Sequence, residues 1–405
     1  MEGPGSSSQF ETNLVDLPRE LLMKIFETLP PKHVYKMSRV CRLLNRLIKD
    51  DSWWMNQIQR ALNGVRLPIA ETKDEEFTPF TTRDAIYFEE RRWAAIAQET
   101  KSITEGSCSH YATIDAVKLF KSSNGARFCI TGARDRSLKI FNLDAIKNSP
   151  VNKDTWVNKE KEGAHEGWIW SVDLVNEQNE LLSAGWDSTV CLWDIDQRPF
   201  HCISRKIDAE NGAVTGILAD EKVAICSRFH STITIHDINN NLESVGKVRA
   251  HQGAITSIAQ KGHYIYSYGV DRKLRITDKR NLKEHLSIRN VPNSLNICLN
   301  SGLVYLATSS GEVHAYRADN LSPSHNFRVV PDGNAVRQVI KTKGSVLALT
   351  QLGGLKSFSL APAPIEMYST GKFHCEPCRF DYLAGDVAVG CGDGSVTFWH
   401  RPVDL

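Results

Sequence analysis

No apolar run in the 405 residues approaches the ~18–20 a helix needs to cross a bilayer, so no membrane association is expected. The opening MEGPGSSSQFETN has no basic stretch followed by an apolar one, which argues against a secretory signal. Charge of one sign is missing as well: 49 Lys and Arg face 47 Asp and Glu, a net +2, and no global field points to nucleic acid. Cys375 and Cys378 form a Cys-x-x-Cys beside His374, but no second such pair exists to close a four-ligand zinc site. No metal or other cofactor is expected, and this stretch reads as the first strand of a last repeat. Gly390 to Gly394 (GCGDG) lacks the helix and lysine that follow a phosphate loop. No catalytic residue is assigned, and the chain is read as not an enzyme.

The ten cysteines sit mostly within apolar runs (Cys129, Cys191, Cys226, Cys298, Cys391), as reduced thiols do, and the expected location is cytoplasmic, nuclear or both. Apolar residues at 41% and charged residues at 24% give the balance of a soluble globular chain. Its organising unit is Gly163 to Ile195, GAHEGWIWSVDLVNEQNELLSAGWDSTVCLWDI. An Ala-His pair opens it, and three strand-like runs with period-two alternation follow. Groups of this kind recur seven times from about Ser102, every ~40 residues, each with a more variable fourth run. The seventh has no fourth run, and the piece around Ile103 to Cys108 is expected to supply it and close the ring.

Before the repeats the period is helical. Leu21, Leu22, Ile25, Phe26 and Leu29 recur at helical spacing and Pro30-Pro31 ends the run. Two further helices, the last with Val40, Leu43, Leu44 and Leu47, complete a three-helix unit too small to form a generous core alone. Leu17-Pro18, Glu20-Leu21-Leu22, Ile25-Phe26, the Leu29-Pro30 break, Ser38-Arg39-Val40-Cys41-Arg42 and Asp51 before Trp53 resemble an F-box. The plainer alternative is a helical cap packed on the next domain. A helix capped by Asp51 or Ser52 is expected through Asn63, with Gly64 as its stop, then a charged loop Pro68–Phe80. A second helix is expected over Thr82–Thr100, with Ile86, Trp93 and Ile96 on one face. The expected organisation is a disordered start (1–13), an F-box (14–54), a helical linker (55–101) and a seven-bladed propeller (102–405): an α unit followed by an all-β one.

Within the organising unit, His165, Ser183, Asp187 and Trp193 stand where WD-repeat proteins place a buried hydrogen-bond relay, and the resemblance makes them structural. A hydrolytic triad is the sharper alternative, but the serine lies within a strand and no oxyanion-hole signal accompanies it. His110, Thr131 and Asp135 keep part of the relay in blade 1, His251, Ser267 and Asp271 in blade 4, and His374, Asp393 and Trp399 in blade 7. Blades 3, 5 and 6 largely lack it, which leaves their boundaries open. With Ile169 and Val172 facing the core, Trp168, Trp170 and Trp186 are expected at the channel mouth. The alternative is that some of them pack between blades. Arg134 precedes the turn Asp135, and Arg337 and Arg379 are read at the inner-strand position of Trp170; isolated solvated arginines are the alternative.

F-box and blades together are similar to the F-box/WD-repeat substrate receptors of SCF-type cullin ubiquitin ligases. The resemblance implies that Leu17, Pro18, Leu21 and Ile25, supported by Val40 and Trp53, dock on a Skp-type adaptor and through it on the cullin. It also implies that the propeller face (Arg134, Trp168, Trp170, Trp186, Arg337, Arg379) holds a target protein through an acidic or phosphorylated degron. The rival from another class is a non-catalytic WD-repeat interaction scaffold without ligase function.

Overall fold

The computed structural model describes residues 13–62, 64, 66–67, 77–96, 102–122, 124–148, 155–175, 179–196, 201–220, 222–300, 302–360 and 363–400. Residues 1–12 of the expected disordered start and 68–76 of the expected loop lie outside them, as does the Ile96 side chain.

Four short helices come first: α1 (Arg19–Glu27), α2 (Pro31–Met37), α3 (Arg42–Ile48) and α4 (Asp51–Ala61). Leu22 and Phe26, one turn apart on α1, meet Val34, Leu44, Leu47, Ile48, Trp53 and Trp54 in one buried cluster. The Trp54 indole N–H donates to the Ile48 carbonyl at 2.7 Å, so even this small core leaves that donor satisfied. Asp50 caps α4, one residue before the expected cap. Its carboxylate accepts from the Ser52 hydroxyl and N–H, and these two bonds hold it below the ordinary carboxylate range. The helix ends at Ala61, and Gly64 takes the left-handed conformation (φ +83°) that closes its last turn.

Helix α5 (Pro79–Ile96) begins three residues before the expected start. Proline fits there because the first helical N–H has no intrahelical partner to lose. Phe80 stacks on Tyr35 at 4.2 Å and meets Trp54 at 5.1 Å, tying α5 to the first helices. Further along, Ile86 joins Ile58, Leu62 and Leu67 in an apolar cluster with residues of blades 5 and 6. Trp93 enters a cluster shared by blades 6 and 7. Gly344 is required by this contact: a Cβ there would lie 2.5 Å from the Ala85 carbonyl oxygen.

The rest is a ring of seven four-stranded antiparallel sheets. Blades 1 to 6 span 114–161, 169–207, 214–249, 255–290, 294–328 and 336–369. The seventh, 377–399, is completed by Ser102–Ile103, paired Ser102 to Phe398 and Ile103 to Thr397. The closing strand is thus the front edge of the expected piece, because Gly106–Cys108 turns into a 3-10 helix. Thr104 extends the closure: its hydroxyl accepts the Val396 N–H at 2.8 Å, and its own N–H donates to the Val396 carbonyl at 3.0 Å. The closing strand is the outer, fourth strand of blade 7, so the sheet that ends the ring also holds its first strand.

Candidate functional site

In blade 2 the relay is complete. His165 Nδ1 lies 3.1 Å from the Asp187 carboxylate, His165 Nε2 lies 2.7 Å from Ser183 Oγ, and the Trp193 indole N–H donates to that hydroxyl at 2.8 Å. Burial alone would raise the Asp187 pKa. The His165 contact and the N–H groups of Glu166 and Thr189 outweigh it and bring it down to about 2. Ser183 is fully buried and spends its hydroxyl on two partners, so it offers no nucleophile. Blades 1 and 4 repeat the core of this device, His110 with Asp135 and Thr131, and His251 with Asp271 and Ser267.

Blade 7 differs because Val389 offers no hydroxyl. The His374 ring turns outward, with Nε2 3.0 Å from both Asp393 and Ser395 Oγ. Cys375 Sγ comes within 3.5 Å of it, so His374, Cys375 and Asp393 gather three donor atoms, one short of a closed tetrahedral shell. Cys378 does not join them; it faces the channel mouth. Blade 3, where the sequence shows almost no relay, holds another one. The fully buried Arg228 reaches Thr234 Oγ1 (3.1 Å) and pairs with Asp208 (3.4 Å). It also reaches His236 Nε2 at 3.3 Å, and His236 stands in the Trp193 position. Burial lowers the His236 pKa and keeps the ring neutral, so Nε2 can accept from Arg228 while Nδ1–H donates to the Leu242 carbonyl. Arginine and histidine alternating on facing strands were the available signal.

A feature common to all blades builds the mouth. Each inner strand slips register by one residue near its start, a β-bulge that leaves Asp115, Trp170, Thr215, Thr256, Leu295, Arg337 and Cys378 unpaired with the neighbouring strand. All seven line one cavity of about 530 Å³. The bulge also explains why Ile169 and Val172, three apart, both face the core. The residue after each bulge lines the narrower channel below, a space of about 220 Å³. There Ser171, Ser257, Asn296 and Gln338 each accept a backbone N–H from the next blade, at 2.9 to 3.2 Å, and staple neighbours together.

Arg379 belongs to this lower ring. Cys378 takes the bulge in blade 7, so Arg379 is not the counterpart of Trp170 and lies one level deeper, while Arg337 does occupy the expected position. Burial holds the Arg379 guanidinium below its ordinary value, Asp115 opposes this, and Arg337 adds to it. Above it the three tryptophans meet: Trp186 lies 6.0 Å from Trp168 and 5.6 Å from both Trp170 and Phe229. Arg134 spreads over Trp168 at 4.8 Å and Trp170 at 5.7 Å, and its Nε donates to Asp115 at 2.7 Å. Arg337 pairs with Glu376, which also accepts from Gln351. Trp168, Trp186, Phe229 and Val270 are exposed, and Trp170 is half-buried. Phe229 and Val270 hold in blades 3 and 4 the position of Trp186: the N–H of each residue bonds the carbonyl opening its blade's inner strand.

The helices meet the opposite end of the propeller. Ala85 lies on the turn of blade 6 at Gly344, and Glu89 accepts from the Tyr382 hydroxyl at the far end of the blade 7 inner strand. A strand of this length is about 20 Å long, which sets the separation of the two ends. On the helical unit Pro18, Leu21 and Ile25 follow one helix face, and Leu21 and Pro18 are exposed. Leu17 and Ile25 are half-buried against the helical core. Val40 is 70% exposed in the turn before α3. Trp53 stands apart: it is buried edge-on against Phe26, so it holds the helices from within and presents no surface. Leu14 and Val15 are exposed apolar side chains that helical periodicity did not single out, and Leu43, which it did, is exposed as well.

Comparison with known proteins agrees with this architecture. The F-box-like family model matches residues 14–60, and the WD domain, G-beta repeat, matches 159–194. F-box/WD repeat-containing protein mec-15 of Caenorhabditis elegans is 27% identical over 398 residues, 96% of each chain. The chain thus carries an F-box-like segment and a WD repeat and is similar to F-box/WD repeat-containing proteins. It is also 28% identical to human F-box/WD repeat-containing protein 9 over 281 residues, 68% of this chain and 58% of that one. Among solved structures, a chain of the mitotic checkpoint complex shares the fold with a TM-score of 0.59 at 13% identity, over 74% of this chain and 93% of that one.

Proposed function

We propose that this protein is the substrate-recognition subunit of an SCF-type ubiquitin ligase. Its F-box docks on a Skp-type adaptor, and through it on a cullin, while the channel mouth holds a target protein. The observation that carries this is the pairing of two exposed apolar surfaces at opposite ends of one packed body. Leu21 and Val40 are exposed on the helical unit, Trp168 and Trp186 at the mouth, and α5 welds the two units together through Phe80, Ile86 and Trp93. Such a body holds a bound protein at a set distance from an enzyme bound at the other end. It acts by raising the target's effective concentration at an active site on another subunit. The ten unpaired thiols support a cytosolic or nuclear setting.

The test is co-purification of adaptor and cullin with wild type, with Leu21→Asp and with Val40→Asp. Both side chains are exposed, so the variants keep the helical core. Capture by wild type and loss in both variants is expected. If wild type captures neither partner, the chain is an interaction scaffold and the ligase reading is wrong.

A further inference from the structure

The three arginines of the mouth are not equivalent. Arg134 is held by two bonds to Asp115 and by the faces of Trp168 and Trp170. Arg337 is paired with Glu376. Arg379 has neither ion pair nor hydrogen bond among the described residues. It also breaks the pattern of its ring: four of its counterparts accept an N–H from the next blade, and a guanidinium has no acceptor to offer. The blade 7 to blade 1 staple is made instead two residues on, where Asp381 accepts the Leu119 N–H at 2.7 Å. Arg379 is therefore a cation that the ring does not need, set at the junction of the mouth and the channel and lining both.

Apolar and charged groups divide the mouth between them. Trp170, Trp186, Phe229 and Val270 form an uncharged arc over blades 2 to 4. The charges all lie on blades 6, 7 and 1, where Asp115 and Glu376 already balance Arg134 and Arg337. One positive charge is left unmatched. A phosphorylated side chain carries about −1.5 to −2 and is satisfied by a cluster of free cations. Here it would find one, and two carboxylates beside it. A single carboxylate matches the site.

We infer that the mouth binds an unphosphorylated segment of a target protein, with apolar side chains against Trp170, Trp186, Phe229 and Val270 and one Asp or Glu carboxylate on Arg379. This rests on the target-face reading above and narrows its acidic-or-phosphorylated expectation to the first.

The experiment pans a random library of unphosphorylated peptides, displayed on phage, against the full chain. Synthetic copies of an enriched peptide are then made with its acidic residue as Glu, Gln or phosphoserine. Enriched sequences carry aromatic or aliphatic residues and one acid. Glu→Gln in the peptide weakens binding about tenfold or more, as expected for a lost charge-assisted hydrogen bond. Phosphoserine binds no better than Glu. Arg379→Gln in the protein removes the Glu/Gln difference, and Arg379→Lys, which keeps the charge, retains most of it. A phosphoserine peptide binding about tenfold tighter than its Glu twin overturns the inference, as does a Glu/Gln difference that survives in Arg379→Gln. If nothing is enriched, or enriched peptides bind wild type and Trp186→Ala alike, the mouth is not the target face. The reading beneath the inference then fails with it.

Discussion

At the helical end of the propeller Trp93 is 2% exposed, stacked on Tyr368 at 5.1 Å with its indole N–H donating to Glu89 at 2.8 Å. At the mouth Trp168 and Trp186 are 42% and 43% exposed, and they meet mainly each other, Trp170, Phe229 and Arg134. The same side chain thus serves two ends with opposite outcomes. At one end the chain supplies its own cover, and even the carboxylate that receives the indole is buried; burial raises the Glu89 pKa, while the Tyr382 hydroxyl and Trp93 indole pull it back. At the other the aromatic faces are left uncovered by the described residues. What separates a structural tryptophan from a candidate contact is whether the chain covers it.

Four measurements sharpen or break this contrast. The largest effect belongs to Trp93→Ala, expected to cost about 3–5 kcal/mol in chemical denaturation because the site cannot collapse onto three packed elements. A loss near zero would mean the helical end is no better packed than the mouth. Next is His165→Ala in the closed relay of blade 2, which leaves buried Ser183 and Trp193 groups short of partners at about 2–3 kcal/mol. His374→Ala in the open relay of blade 7 should cost less than about 1 kcal/mol. Equal costs for the two would show that exposure of His374 is unimportant.

Acid gives the third effect. Burial holds His325 and His400 at about 4. Both are lowered from the ordinary 6.5, so their contribution is present above pH 6.5 and is lost as the pH falls toward 4. Asp187 and Asp393, held at about 2, add a second loss below about pH 4. Denaturation across that range should show stability falling in two stages, by a few kcal/mol in the first; a flat profile from pH 7 to 4 would contradict the burial of those histidines. The smallest expected change is the stability of Trp186→Ala, within about 1 kcal/mol of wild type, while capture of target is lost. If that variant unfolds, Trp186 belongs with Trp93 rather than opposite it.

Much of this was legible before any coordinates. Period-two runs every ~40 residues predict blades because strands with one apolar face must be covered by their neighbours. His165, Ser183, Asp187 and Trp193 announce a relay because buried polar groups need partners of matching chemistry. The Arg228–Asp208 pair of blade 3 was not legible, since the two lie twenty residues apart and meet only where the turn that follows blade 2's last strand packs on blade 3. The same holds for Arg379: side-chain alternation gives a period but not the bulge that shifts it, and one extra residue moved this arginine from the rim to the channel.

Local pattern therefore determined which residues form strands and helices, and that there are seven blades behind an F-box, because periodicity and capping act over a few residues. Which tryptophans are covered, and which arginine is left without a carboxylate among the described residues, was decided only in the closed ring. Cover and charge pairing depend on groups far apart in the chain that closure sets side by side.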